Sequence, residues 1–249
     1  MNIPLQDRQR GILDNDLLRR SHVVQIGAGR GLGFAEMLVG CGLGKVTLVD
    51  PQTVSAENVG QSAYPRSAIG QPKVDAARAR LLDINPDADI IAKQCRAENL
   101  PDLDDRLAAA SLIKIGIDDP AIQFDLADRA QAAGTPAVLG GNTGDGRQFF
   151  AVVIYPSGPP LKELLPAAWR AVEQGFSPPD HYASSRLHAE RLNVLLAGIV
   201  LGLLHHAGGS ALPIARDGAA ATDNPVFIGF HGMSDSMLTP IVMLPRSPG

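Results

Sequence analysis

Two cysteines in 249 residues, Cys41 and Cys95, each in or beside an apolar run, are too few for a disulfide framework. They are also too few for a cysteine-based zinc site, which needs several soft ligands close together. A basic surplus is missing as well: 26 acidic side chains face 22 basic ones, whereas a broad nucleic-acid surface needs a basic face. The longest apolar run, LNVLLAGIVLGLL from Leu192 to Leu204, falls short of the roughly 20 residues that a membrane span requires. The opening stretch MNIPLQDRQRGILDND carries charges where a secretion signal would have its apolar core. These absences set the expectation of a soluble, cytoplasmic protein with neither a nucleic-acid nor a membrane partner.

What is present is a core. With 45% hydrophobic residues, the chain can bury one large or two small domains. Short apolar runs alternate with helical patterns. HVVQIGAG reads as a strand that breaks at glycine, FAEMLVGCGL as a helix, and KVTLVD as a second strand. KVDAARARLLDINP places Val74, Ala77, Leu81 and Leu82 on one helical face and stops at Pro86. DIIAKQ, SLIKIGI and TPAVLGG are further strands, with AIQFDLADRAQAAG as the helix before the last. Such alternation predicts an α/β fold: a Rossmann-like, mainly parallel sheet with helices on both faces. After Gly141 the pattern changes. RQFFAVVIYPSGPP suggests an antiparallel strand, a Pro-rich stretch and the Leu192 helix follow, and PVFIGF and TPIVMLP are short β-like runs. The reading is one domain over 1–249, with a nucleotide-binding core at 20–150 and a less regular part at 151–249.

Glycines 27, 29, 31 and 33 lie between the first strand and the first helix. A turn of this kind lets backbone N–H groups and the helix N-terminus face a phosphate. Asp50, closing the next strand, is placed to hydrogen-bond a ribose hydroxyl. The match to a dinucleotide fingerprint is imperfect, because Leu32 stands where the last glycine belongs and Arg30 adds bulk. Tight strand–helix packing without a ligand is the alternative reading of the turn.

Read together, the first 166 residues resemble the ThiF/MoeB group of E1-like activating enzymes, relatives of the ubiquitin-activating enzymes. The resemblance rests on an ordered series: IGAGRGLG, LVDPQTVSAENV, AIGQPKVDAARARLLDINPDADI, IDD before a helix, then GTPAVLGG. It implies a fold that binds ATP and Mg²⁺ and attaches AMP to the C-terminal carboxylate of a ubiquitin-like protein or peptide. Carried over by position, Asp50 would hold the ribose, with Gly27, Gly29 and Gly31 at the phosphates. Asn58 and Gln61 would belong to the nucleotide loop. Lys73 would offset triphosphate charge, its alternative being a solvated lysine at a helix start. Asp118 would bind Mg²⁺, or else cap the helix that follows. Arg8 resembles the arginine that this family sends across a dimer into the partner's ATP site; a surface arginine is the alternative.

Three departures qualify the resemblance. The loop after Asn58 is one residue short, and no arginine lies between Val59 and Ala63. A lost charge-assisted phosphate contact costs roughly 1.5–3 kcal/mol. Tyr155 to Pro166 follows the family's zinc-loop spacing, yet Pro160 and Glu163 stand at its two cysteine positions, so no zinc site is expected. No cysteine follows Cys95 in this sequence, which removes a candidate for the family's thioester chemistry. The leading expectation is an adenylyltransferase without its own acyl-carrying cysteine. The alternatives are a degenerate E1-like binding or scaffold subunit and an NAD-dependent oxidoreductase. His205 and His206 read as C-terminal helix caps rather than metal ligands, and Trp169 as a packing residue. The Leu192–Leu204 helix, apolar nearly all round with Gly198 and Gly202 four apart, predicts a homodimer, with a central core helix as the competing reading.

Overall fold

The sheet of the computed structural model, which describes residues 6–142, 148–176, 185–230 and 242–244, has eight strands. These are β1 (His22–Ile26), β2 (Lys45–Val49), β3 (Asp89–Lys93), β4 (Leu112–Ile115), β5 (Ala137–Asn142), β6 (Gln148–Ile154), β7 (Val226–Phe230) and β8 (Val242–Leu244). They lie in the order β3-β2-β1-β4-β5-β6-β7-β8. β1 to β5 run parallel, and β6, β7 and β8 add on antiparallel. The mainly parallel sheet and the antiparallel addition after Gly141 follow the sequence reading. Strands buried on both faces explain why the runs looked continuously apolar.

Ten α-helices are described: α1 (Asn15–Arg20), α2 (Leu32–Gly40), α3 (Ala56–Gln61), α4 (Lys73–Ile84), α5 (Leu103–Ala108), α6 (Pro120–Ala132), α7 (Leu161–Leu164), α8 (Pro166–Glu173), α9 (Arg186–Ala207) and α10 (Ile214–Asp223). Side chains alternate across the strands, so each face has its own core. Val23, Val46 and Leu112 join Leu38, Val74 and Leu196 of α2, α4 and α9 on one face. Val24, Ile113 and Leu139 join Leu103, Phe124 and Leu161 of α5, α6 and α7 on the other. Trp169 of α8 meets the Phe124 ring edge-on, centroids 5.0 Å apart, which bears out its packing role.

Several expectations change. The stretch around Asn58 and Gln61 is the short helix α3, not open loop. α10 lies in a part of the chain for which the sequence predicted no helix. α9, at 22 residues, is long and apolar enough for a membrane span by composition, but most of it is buried inside the chain. Its close approach to another helix is internal, since a Cβ on Gly202 would lie 2.9 Å from the Gly218 nitrogen of α10. The competing reading of α9 as a core helix therefore covers most of its surface. Leu187 (56% exposed), Val194 (58%) and Gly198 leave an open stripe along one side. His205 is no simple cap: fully buried, its Nδ1 bonds the Leu201 carbonyl (2.6 Å) and its Nε2 accepts the Asp14 N–H (2.8 Å). It ties the N-terminal segment to α9. His181 and His231, which stand at no recognisable metal-ligand spacing in the sequence, lie outside the described residues.

Candidate functional site

Strand order reverses between β1 and β4, with β2 and β3 to one side and β5 to the other. Crossovers leaving such a point in opposite directions open a crevice beyond the C-terminal strand ends. Gly27 turns out of β1 there with φ +92°, in the left-handed region that glycine enters without steric cost. A Cβ on Gly27 would collide with the Gly116 backbone beyond β4, so the two strand exits touch through glycine.

The turn is held from three sides. Asp50 is buried, and its Oδ2 accepts the Ala28 N–H (2.8 Å) while Oδ1 accepts the Gln52 N–H (2.8 Å). Its first job is to clamp the turn, leaving only its remaining lone pairs for a ribose. The Tyr64 hydroxyl lies 2.5 Å from the Ala28 carbonyl and 3.0 Å from that of Lys73, joining the turn to the start of α4. Burial, with Asp50 and Glu36 nearby, pushes its phenol far above the usual range, so it stays a donor. Lys73 is buried rather than solvated: its Nζ donates to Gln52 Oε1 at 2.7 Å and faces the turn 3.6 Å from where a Gly29 Cβ would stand. An open cleft beside it is lined by Gln52, Ser55, Glu57, Asn58 and Lys73.

Asn58 reaches this cleft, but its Oδ1 already accepts from the Ser55 N–H (2.9 Å) and hydroxyl (3.1 Å) at the start of α3. Its amide NH₂ is what remains for a ligand. Gln61, at the far end of α3, is not among the residues lining the cleft. The two acidic residues before α6 divide the work. Asp119 is the N-cap, accepting the Ala121 and Ile122 N–H groups. Asp118 is therefore free of capping. Its carboxylate, 73% exposed, takes a 3.3 Å ion pair from Arg30 of the glycine turn. Among the described residues no group of three or more His, Cys, Asp or Glu could hold a metal ion, so a cation at Asp118 would lean on substrate oxygens. Arg8 is exposed in a short 3-10 segment whose neighbour Gln9 bonds the Cys41 carbonyl (2.7 Å). That is the end of α2 remote from the turn, so the chain does not bring Arg8 to its own site.

Sequence reasoning missed Tyr64, Gln52, Gln25 and Lys114. Gln25 and Lys114 sit opposite each other in the β1–β4 register. Gln25 Nε2 donates to the Gly27 (2.9 Å) and Gly31 (3.0 Å) carbonyls. Lys114 is 4% exposed, and burial, reinforced by Arg30, lowers its ammonium pKa from 10.5 to about 8. The available signal was a polar residue interrupting each of two apolar strands, VVQI and LIKI, just before a glycine.

The profile of the ThiF family matches residues 7–193. The tRNA threonylcarbamoyladenosine dehydratase of Bacillus subtilis is 41% identical over 80 residues, 31% of each chain. The molybdopterin-synthase adenylyltransferase of Salmonella typhimurium is 32% identical over 128 residues, 50% of this chain and 51% of that protein. The chain thus spans about half or less of these curated relatives. The solved structure of E. coli MccB with ATP superposes with a TM-score of 0.72 at 17% identity, covering 99% of this chain and 73% of MccB. That likeness is one of fold.

Proposed function

Because the chain belongs to the ThiF family, we propose that it is an ATP-dependent adenylyltransferase that activates the C-terminal carboxylate of a ubiquitin-like protein or peptide. The observation that carries the reading is the convergence of the glycine turn, buried Lys73 and uncapped Asp118 at the sheet's reversal point. In the reaction a carboxylate oxygen forms a bond to the α-phosphorus, and the bond to the pyrophosphate oxygen breaks. The products are an acyl-adenylate and pyrophosphate.

Each residue has a task that its surroundings suit. Asp50 and Tyr64 hold the turn so that its N–H groups and the α2 N-terminus face the phosphates. The Lys73 ammonium, fixed by Gln52, offsets charge that builds on the phosphate oxygens. Asp118 would hold Mg²⁺ against those oxygens, and the ion would supply Lewis-acid stabilisation. For that, the carboxylate has to leave Arg30. Relatives act in keeping with this assignment: the Salmonella protein is an adenylyltransferase, and the Bombyx mori protein is a ubiquitin-like modifier-activating enzyme. The acyl-adenylate would pass on without a cysteine beyond Cys95. ATP-dependent chemistry of this kind suits the cytoplasm. We further assign Arg8 to the partner's site in a homodimer, since it lies away from its own.

ATP–pyrophosphate exchange that depends on a candidate carboxylate partner tests the proposal. Absence of ATP binding by calorimetry at millimolar nucleotide would sink it. Two observations favour a second reading, a binding subunit with a degenerate site: no arginine lies between Val59 and Ala63, and Asp118 is occupied by Arg30. That subunit would bind its partner normally after Asp118→Ala.

A further inference from the structure

The Lys114 head group lies in a space that two glycines leave open. A Cβ on Gly116 would collide with its Nζ, and a Cβ on Gly31 would lie 2.6 Å away. Two glycines thus make room for one ammonium. Yet that ammonium takes no hydrogen bond or ion pair from the described residues. Gln25, its cross-strand neighbour, spends its Nε2 on the Gly27 and Gly31 carbonyls, while its buried Oε1 has no hydrogen-bond partner among the described residues. Gly31 is also the N-cap of the nine-residue helix α2, whose N-terminal dipole is positive. A buried cation set beneath a positive helix end, without a carboxylate touching it, is unfavourable unless an anion completes the arrangement.

The charged groups around the corner reinforce this. Arg30 faces Lys114 from the turn, Asp50 from the end of β2 and Asp118 from the β4–α6 connection. Lys73 of α4 and Glu190 of α9 border the same turn at Gly29 and Gly33. Asp50 is spent on backbone N–H groups and Asp118 on Arg30.

We propose that Lys114 is a phosphate-binding cation of this site, its ammonium held beneath the glycine turn to meet the negative charge of the bound nucleotide. The inference rests on the nucleotide reading above and adds a residue to it. It also answers the missing loop arginine: the positive charge comes from the strand instead. Because the ammonium of the free protein is half-titrated near pH 8, phosphate binding at higher pH draws a proton onto it.

Calorimetry with ATP, adenosine and pyrophosphate on the wild type and on Lys114→Met is the test. Adenosine is expected to bind both equally, whereas ATP and pyrophosphate bind the variant at least ten-fold more weakly. At pH 8.5, ATP binding by the wild type, compared in two buffers of different ionisation enthalpy, is expected to take up roughly half a proton or more. Equal ATP affinity in both proteins, or wild-type ATP binding without proton uptake, overturns the proposal. Should Lys114→Met not fold, the proton measurement decides alone. If the wild type binds neither ATP nor adenosine, the nucleotide reading fails; pyrophosphate then decides, with Lys114-dependent binding supporting the anion site and its absence overturning it.

Discussion

Asp118 is the residue on which the enzymatic and scaffold readings part. Its carboxylate is largely exposed and, among the described residues, caps nothing and is paired only with Arg30 across 3.3 Å, so its loss should disturb the fold little. Asp118→Ala is expected to keep the wild-type melting temperature and to lose ATP–pyrophosphate exchange by 10²-fold or more, on the order of 3 kcal/mol of transition-state stabilisation. Exchange at the wild-type rate in that variant would remove Asp118 from the catalytic machinery, whereas no exchange by the wild type would leave the scaffold reading. Lys114 yields a stability prediction of its own. Its pKa falls from 10.5 to about 8 on folding, chiefly through burial and then through the charge of Arg30, with Asp118 and Asp50 opposing. Between those two values the unfolded chain holds the proton that the folded chain has released. Stability therefore rises as pH climbs from about 8 toward 10.5, and the full cost stands below pH 8. That cost is roughly 3 kcal/mol, so Lys114→Met should melt higher than wild type at pH 7 in the absence of nucleotide. Thermal melts of both proteins from pH 7 to 10 check it: a variant no more stable, or a wild type showing no rise, contradicts the assignment.

The helices show which features of the fold were open to reading. β1 to β5 and the helices α2, α4 and α6 were legible because each carries a complete periodic signal bounded by glycine or proline, such as the Lys73–Ile84 pattern stopped before Pro86. α3 was not, because six residues with a Gly60 inside them give no period; its start is set by the Ser55–Asn58 side-chain bonds. α10 was hidden by its small residues, which are there because of α9. Gly202 and Gly218 meet backbone to backbone, and a Cβ on Gly218 would collide with the Gly202 carbonyl. At the site, Asp50, Lys73 and Asp118 could be placed by motif, whereas Lys114 and Tyr64 depend on which strands and loops become neighbours. Two glycines, one on each helix, give a paired test of this packing. Gly218→Val should lower stability by about 2 kcal/mol or more through overpacking, while Gly198→Ala, with nothing within 4 Å of its Cβ, should raise it by about 0.5–1 kcal/mol. Urea unfolding measures both, and equal effects would mean that α9 and α10 do not meet as described.

At the scale of the whole molecule, the question is whether one chain makes a complete site. α9 is mostly covered by its own sheet, α2 and α10, so its apolar run no longer argues for a partner by itself. Two features still do. Leu187 and Val194 stand more than half exposed, one turn-pair apart on the same side of α9 with Gly198 beyond them, a stripe suited to a self-complementary contact. Arg8 lies exposed beside the end of α2 that points away from the glycine turn, separated from it by a nine-residue helix of roughly 13 Å. An arginine so placed can serve a site only in another copy. Light scattering behind size exclusion should give twice the mass of the chain at micromolar concentration, and Leu187→Glu combined with Val194→Glu should reduce it to the monomer. The division of labour is then read by complementation. Arg8→Ala and Asp118→Ala proteins are each expected to be inactive, since one lacks the donated arginine and the other the receiving carboxylate. Unfolded together and refolded as a mixture, they form mixed dimers in which one of the two sites is whole, restoring about a quarter of wild-type exchange. A wild type that runs as a monomer, or a mixture as inactive as its components, returns Arg8 to the protein surface as an ordinary solvated side chain.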